Sequence, residues 1–84
     1  MSTYNFAYDI TDSVYAFDDV GRGHLAQVTA LGFIDGFDAS SYSAATDFIY
    51  TLNIMAVDGT AIQRPQGLCF ADKNAAKTYI DSLP

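Results

Sequence analysis

Apolar and polar residues alternate strictly along the first segment. Tyr4, Phe6, Tyr8 and Ile10 fall on one side, and Asn5, Ala7 and Asp9 on the other. A period of two is the signature of a half-buried strand. Thr11-Asp12-Ser13 supplies turn chemistry, Val14-Tyr15-Ala16-Phe17 resumes β-favouring composition, and Asp18-Asp19 closes it. The two runs predict a hairpin. Gly21-Arg22-Gly23 then permits a reversal, because glycine takes positive φ without strain.

Residues 24–34 predict a third strand. Leu25, Gln27, Thr29, Leu31 and Phe33 lie on one face, with the smaller Ala26, Val28, Ala30, Gly32 and Ile34 on the other. A helix over 24–31 is the competing reading, disfavoured by Gly32 and the β-branched content. Asp35-Gly36-Phe37-Asp38 breaks the element, and Ala39 to Ser43 form a polar connection.

From Ala44 the period changes. Ala45, Phe48, Ile49, Leu52, Met55 and Ala56 share one helical face, while Thr46, Asp47, Tyr50, Thr51 and Asn53 share the other. The spacing predicts a helix over 44–57 with Ser43 as N-cap, against the strong β propensity of Phe48 to Ile54. Asp58-Gly59 ends it. Thr60 to Gln63 and Gly67 to Phe70 predict a second hairpin around the turn Arg64-Pro65-Gln66-Gly67. Asp72 then caps a final helix with an apolar stripe of Ala76, Tyr79, Ile80 and Leu83, and Pro84 stops it. The expected architecture is α+β, an antiparallel β-meander with two helices packed on one face. The expected order is β-β-β-α-β-β-α in a single domain over 1–84.

Composition narrows the function classes. Eighty-four residues, half of them apolar, suit one small core. No apolar run approaches the roughly 20 residues of a membrane span, and the first residues lack the basic and apolar blocks of a signal peptide. One cysteine, Cys69, excludes an internal disulfide framework. The expected location is therefore the cytoplasm, that of an infected host cell included.

Ten acids, all aspartate, oppose four bases and give a net charge of −6. Direct binding to nucleic acid or to an anionic membrane needs clustered Lys and Arg, so neither is expected. A protein with a basic surface is the favoured partner. Aspartate bonds nearby backbone and so concentrates at turns and caps. Most of these carboxylates have such a local explanation, which competes with imitation of a phosphate backbone.

Candidate chemistry is sparse. His24 and Cys69 stand 45 positions apart, and nothing in the sequence brings them together as a nucleophile and base. Cys69 between Leu68 and Phe70 reads as a small buried hydrophobe, and His24 beside a glycine turn as a loop residue. Asp9/Asp12 and Asp35/Asp38 place carboxylates three apart but lack the alternation and terminal Glu of a calcium loop. Gly21-Arg22-Gly23 lacks the further glycine and Lys-Ser/Thr of a phosphate loop. No catalytic residue, metal site or cofactor is expected.

Tyrosine, six in the chain, points instead to an interface, because it buries a large area with few rotamers. Tyr50 beside Asp47 on the outer face of the middle helix is the preferred contact patch, with Tyr42 and Asp38. Exposed edge strands also offer pairing to a second copy, which admits a homodimer.

The expectation is a non-enzymatic protein-binding module. Its most concrete form is a small phage- or mobile-element inhibitor, anti-CRISPR-like in action, that blocks a nucleic-acid-binding host protein. The alternatives are a ligand-binding or enzymatic domain using His24 and nearby Asp, or a structural subunit of a larger assembly.

Overall fold

The computed structural model describes residues 4–83. β1 (Ser13–Phe17) and β2 (Gly23–Phe33) form a hairpin. A four-residue helix α1 (Ala44–Asp47) leads directly into β3 (Phe48–Met55). β4 (Ala61–Pro65), a 3-10 turn (Gln66–Leu68) and helix α2 (Lys73–Asp81) follow. The sheet order is β1-β2-β3-β4 with every pair antiparallel, so the α+β class and the meander are as expected.

The middle segment departs from the helix expected over 44–57, of which only Ala44–Asp47 is helical. Phe48, Tyr50 and Leu52 are buried on one face of β3, while Ile49, Thr51 and Asn53 point away from the core. The same residues that cluster at helical spacing also alternate. Aromatic and branched side chains over eight residues, with sheet partners on both sides, decide for the strand.

β2 carries a second departure. Its smaller face supplies the buried Ala26 and Val28, but only as far as Val28. A bulge between Val28 and Ala30 shifts the register by one residue, so Val28 opposes Leu52 whereas Leu31 opposes Tyr50 and Phe33 opposes Phe48. A one-residue slip exchanges the faces of a strand. Beyond the bulge, Leu31 packs against the core and Phe33 joins its aromatic end.

Residues 4–10 are not a strand, and β1 takes β2 as its partner instead. The alternation nonetheless holds for packing. Phe6 and Tyr8 pack against the buried cluster, with Phe6 stacked on Phe48 at 4.3 Å, while Asn5, Ala7 and Asp9 are exposed. Ile10 is exposed as well. The tie is polar. Buried Tyr50 donates its hydroxyl hydrogen to Gln66 Oε1 at 2.6 Å and accepts from the Tyr8 amide at 3.1 Å, and the Ala7 amide donates to the same Gln66 oxygen at 2.9 Å.

The second expected hairpin is also rearranged. After β4 the chain runs through the 3-10 turn to the free side of β1, where Tyr15 and Phe70 exchange backbone bonds of 2.7 and 2.9 Å. Arg64 of β4 donates Nε to the Phe17 carbonyl at 3.0 Å. In a flat sheet β1 and β4 would stand three strand spacings of roughly 4.8 Å apart, so the sheet is curled until its edges meet across one Arg side chain. Val14, Ala16, Ala26, Val28, Tyr50, Leu52 and Cys69 fill the concave side.

Asp72 caps α2 as expected, accepting from the Ala75 amide at 2.8 Å. Only Ala76 of its apolar stripe is fully buried; Tyr79 rests on Phe70 with ring centres 5.2 Å apart. Pro84, expected to stop this helix, lies outside the described residues.

Tyr50→Phe keeps the ring but leaves the Tyr8 amide without its acceptor and Gln66 Oε1 with the Ala7 amide as its remaining donor. The expected loss is about 1–3 kcal/mol of unfolding free energy by urea titration, together with faster hydrogen exchange at Ala7 and Tyr8. An unchanged urea midpoint would refute the anchoring role.

Candidate functional site

The residues expected to meet a partner separate in space. Tyr50 is fully buried, so the patch of Tyr50 with Asp47 on a helix does not exist. The reason is the strand: Asp47 ends α1 while Tyr50 lies in β3, so the two are no longer one helical turn apart, and Tyr50 belongs to the core face. Burial pushes its phenol up from the ordinary tyrosine range. Asp47 closes α1, its carboxylate accepting from the Ser43 amide at 3.0 Å and the Thr46 hydroxyl at 3.1 Å.

Tyr42 and Asp38 remain at the surface, in the loop joining β2 to α1. Asp38 accepts from the Ser40 amide at 2.9 Å and its hydroxyl at 2.8 Å, and these bonds hold its carboxyl below the usual range. The loop is ordered by its own bonds: Ile34 donates to the Asp47 carbonyl, Phe37 to that of Ile34, and Ser41 to that of Asp38. Gly36 takes φ +79°, the left-handed conformation that lets the chain reverse between Phe33 and Phe37.

That reversal assembles an aromatic cluster that no local pattern announced. Phe33 and Phe37 stack at 4.3 Å, Phe37 lies 5.2 Å from Tyr42, and Tyr42 stacks on buried Phe48 at 5.3 Å. Tyr4 contacts Phe33, Phe37 and Tyr42 edge-on at 5.1–5.7 Å. The inner rings are core, while Phe33 is 43% and Tyr42 41% exposed. Asp35 and Asp38 are exposed on the same loop, and no Lys or Arg occurs anywhere between Arg22 and Arg64. The signal available in the sequence was Phe-x-x-x-Phe across an Asp-Gly turn.

His24 does acquire an acidic neighbour. Its Nε2 lies 2.7 Å from Asp18 Oδ2. The other oxygen of Asp18 accepts from the Val20 and Arg22 amides at 3.0 and 2.9 Å, closing the β1–β2 turn. The His24 bond, followed by the Arg22 amide, holds the Asp18 carboxyl below its ordinary range. Cys69 has a different surrounding. It is buried and its thiol faces the Arg64 carbonyl at 3.9 Å, so the two residues do not form a nucleophile–base pair. Burial pushes the thiol up to about 11.

Among the described residues no group of three or more His, Cys, Asp or Glu could hold a metal ion, and no helix is long and apolar enough to cross a membrane. Comparison with protein-family models, curated proteins and solved structures finds no match to this chain.

Two pH responses follow. Asp18, Asp38 and Asp58 all have depressed folded values, so their contribution is present above the ordinary carboxylate range and is lost as pH falls through the folded values. Unfolding free energy should fall below about pH 4, and Asp18→Asn should make that fall shallower; an unaltered acid limb would contradict the turn-closing role. The raised Cys69 thiol works in the opposite sense, supporting the fold below the ordinary thiol value and losing that support as pH rises through about 11. A disulfide reagent at pH 8 should label Cys69 only in denaturant. Rapid labelling of the native protein would show that the thiol is not sealed.

Proposed function

We propose that this protein is a non-enzymatic binding module that docks a protein with a basic surface through its aromatic end. The observation that carries the reading is the pairing of half-exposed Phe33 and Tyr42 with the Asp35 and Asp38 carboxylates, in a stretch of chain without a single Lys or Arg. Aromatic rings are favoured at interface centres, where they bury area at low entropic cost, and a guanidinium or ammonium gains further by sitting over a ring face. Surrounding carboxylates steer a cationic partner and raise the association rate.

In its most concrete form the module is a phage- or mobile-element inhibitor that occupies the cationic surface a host protein uses for nucleic acid. Asp9, Asp12, Asp38, Asp47, Asp58 and Asp72 each accept a bond from their own loop or helix end. That supports a general negative field over a designed phosphate-like array.

The test uses a partner recovered by affinity capture from the native or infected cell and then purified. Asp35→Lys and Tyr42→Ala should each weaken binding at least tenfold, with circular dichroism unchanged, and association should slow as salt rises. Unchanged affinity for both variants would discard this surface. If the inhibitor form is correct, the complex also loses nucleic-acid affinity. The His24–Asp18 pair is the one feature favouring a ligand-binding or enzymatic reading, and loss of a measurable activity in His24→Ala, with none in Tyr42→Ala, would move the assignment there.

A further inference from the structure

The convex side of the β1–β2 hairpin carries a second feature, near the opposite end of β2 from Phe33. Tyr15 lies over Gly23, where any Cβ would collide with the ring, and so it lies close against the sheet. Phe17 continues that surface, with ring centres 6.0 Å from Tyr15. α2 forms the other wall with Ala76, Ile80, Lys73 and Lys77. Between them runs a groove of about 210 Å³.

We propose that this groove is a docking site for an acidic peptide segment that seats one bulky apolar side chain between flanking carboxylates. Size argues for a single side chain. At about 210 Å³ the groove is smaller than the roughly 300–1,000 Å³ of drug-sized sites. The walls argue for an apolar anchor: Tyr15, Phe17, Ala76 and Ile80 face it, and Ile80 is left 46% exposed on a helix that buries only Ala76 completely.

Charge argues for the carboxylates. Lys73 and Lys77 are the only lysines in the chain, stand one helical turn apart, and both line the groove. Among the described residues neither makes an ion pair, whereas Arg64 is engaged with Asp19 at 3.1 Å. The net charge of −6 opposes an acidic ligand at long range, but beyond roughly 8 Å that repulsion is screened at physiological ionic strength. Lys73 and Lys77 line the groove and are the charges a carboxylate beside it meets, while Asp72 and Asp81 stand at the two ends of α2 outside its lining.

The site is independent of the aromatic end, and the test separates them. The probes are the synthetic peptides Asp-Asp-Phe-Asp-Asp, Asp-Asp-Ala-Asp-Asp and Lys-Lys-Phe-Lys-Lys, with blocked termini, titrated into the ¹⁵N-labelled full chain. The first should give saturable shifts over residues 15–17 and 73–80. The other two should bind at least fivefold more weakly. Lys73→Gln with Lys77→Gln should also weaken the first peptide at least fivefold, while Asp35→Lys leaves it unchanged. Both lysines are exposed, so the double variant is expected to fold, which its spectrum checks directly. Absence of saturable shifts, equal binding of the lysine peptide, or shifts confined to residues 33–42 would each overturn the proposal.

Discussion

A buried phenol must have its hydroxyl satisfied, and in this protein one such group joins three separate parts of the chain. Tyr50 sits in the first half of β3, fully enclosed, with its hydroxyl bonded to Gln66 from the 3-10 turn and to the Tyr8 amide. A four-stranded sheet of this length has a single concave face to cover, and neither helix is long enough to do so alone. The covering is supplied by residues 4–10, which lack regular structure and therefore need tertiary partners for their amides. Ala7 and Tyr8 find them at the Tyr50–Gln66 junction. Phe6 and Tyr8 then exclude water from the rings beneath.

The curl of the sheet follows from the same economy. A small domain gains burial by bringing its edges together, and here the crossing from β4 to the free side of β1 places Cys69 in the core and Phe70 against Tyr15. Arg64 makes the closure polar, donating to the Phe17 carbonyl and to Asp19 across the seam. The consequence for recognition is an uneven surface. Arg64 bonds the end of β1, Arg22 stands in the β1–β2 turn, and Lys73 and Lys77 line the groove beside β1, while the β2–α1 loop carries Asp35 and Asp38 and no base.

Legibility in the sequence tracked how local the deciding interactions are. β1, β2 and α2 were readable because their pattern, their turn residues and the Asp72 cap act within a few positions. The hairpin turns at 18–22 and 56–60 were marked by Asp and Gly for the same reason. β3 was misread because Phe48 to Met55 satisfies both periods, and only pairing with β2 and β4 selects between them. That error carried directly into the site, since Tyr50 moved from a supposed outer helix face to the interior. The bulge at Thr29 was invisible as well: it matters only relative to a partner strand. The rings of Phe33, Phe37 and Tyr42 met Tyr4 and Phe48 through tertiary packing, for which the spacing of Phe33 and Phe37 across Asp35-Gly36 was the one local sign, and the His24–Asp18 bond spans a turn and left none. Asp38 and Tyr42 stayed at the surface because loop residues with local bonds need no burial.

The aspartates reconcile the fold with the charge. In a turn, a carboxylate that accepts one or two backbone amides is stabilised by hydrogen bonding and needs no neighbouring cation. Each of Asp38 and Asp58 is held this way by the amide and hydroxyl of a residue two positions on. Among the described residues seven of the ten acids accept a backbone amide in this way, so they accumulate without matching bases. Their cost is a long-range self-repulsion that salt screens, and their by-product is a field that favours cationic partners over anionic ones. Glutamate would not serve equally, because its longer side chain gains less from such tight turns and more from helix interiors, which this chain barely has. The absence of glutamate is thus a consequence of a loop-rich meander, and the acidity is available for recognition whether or not recognition selected it.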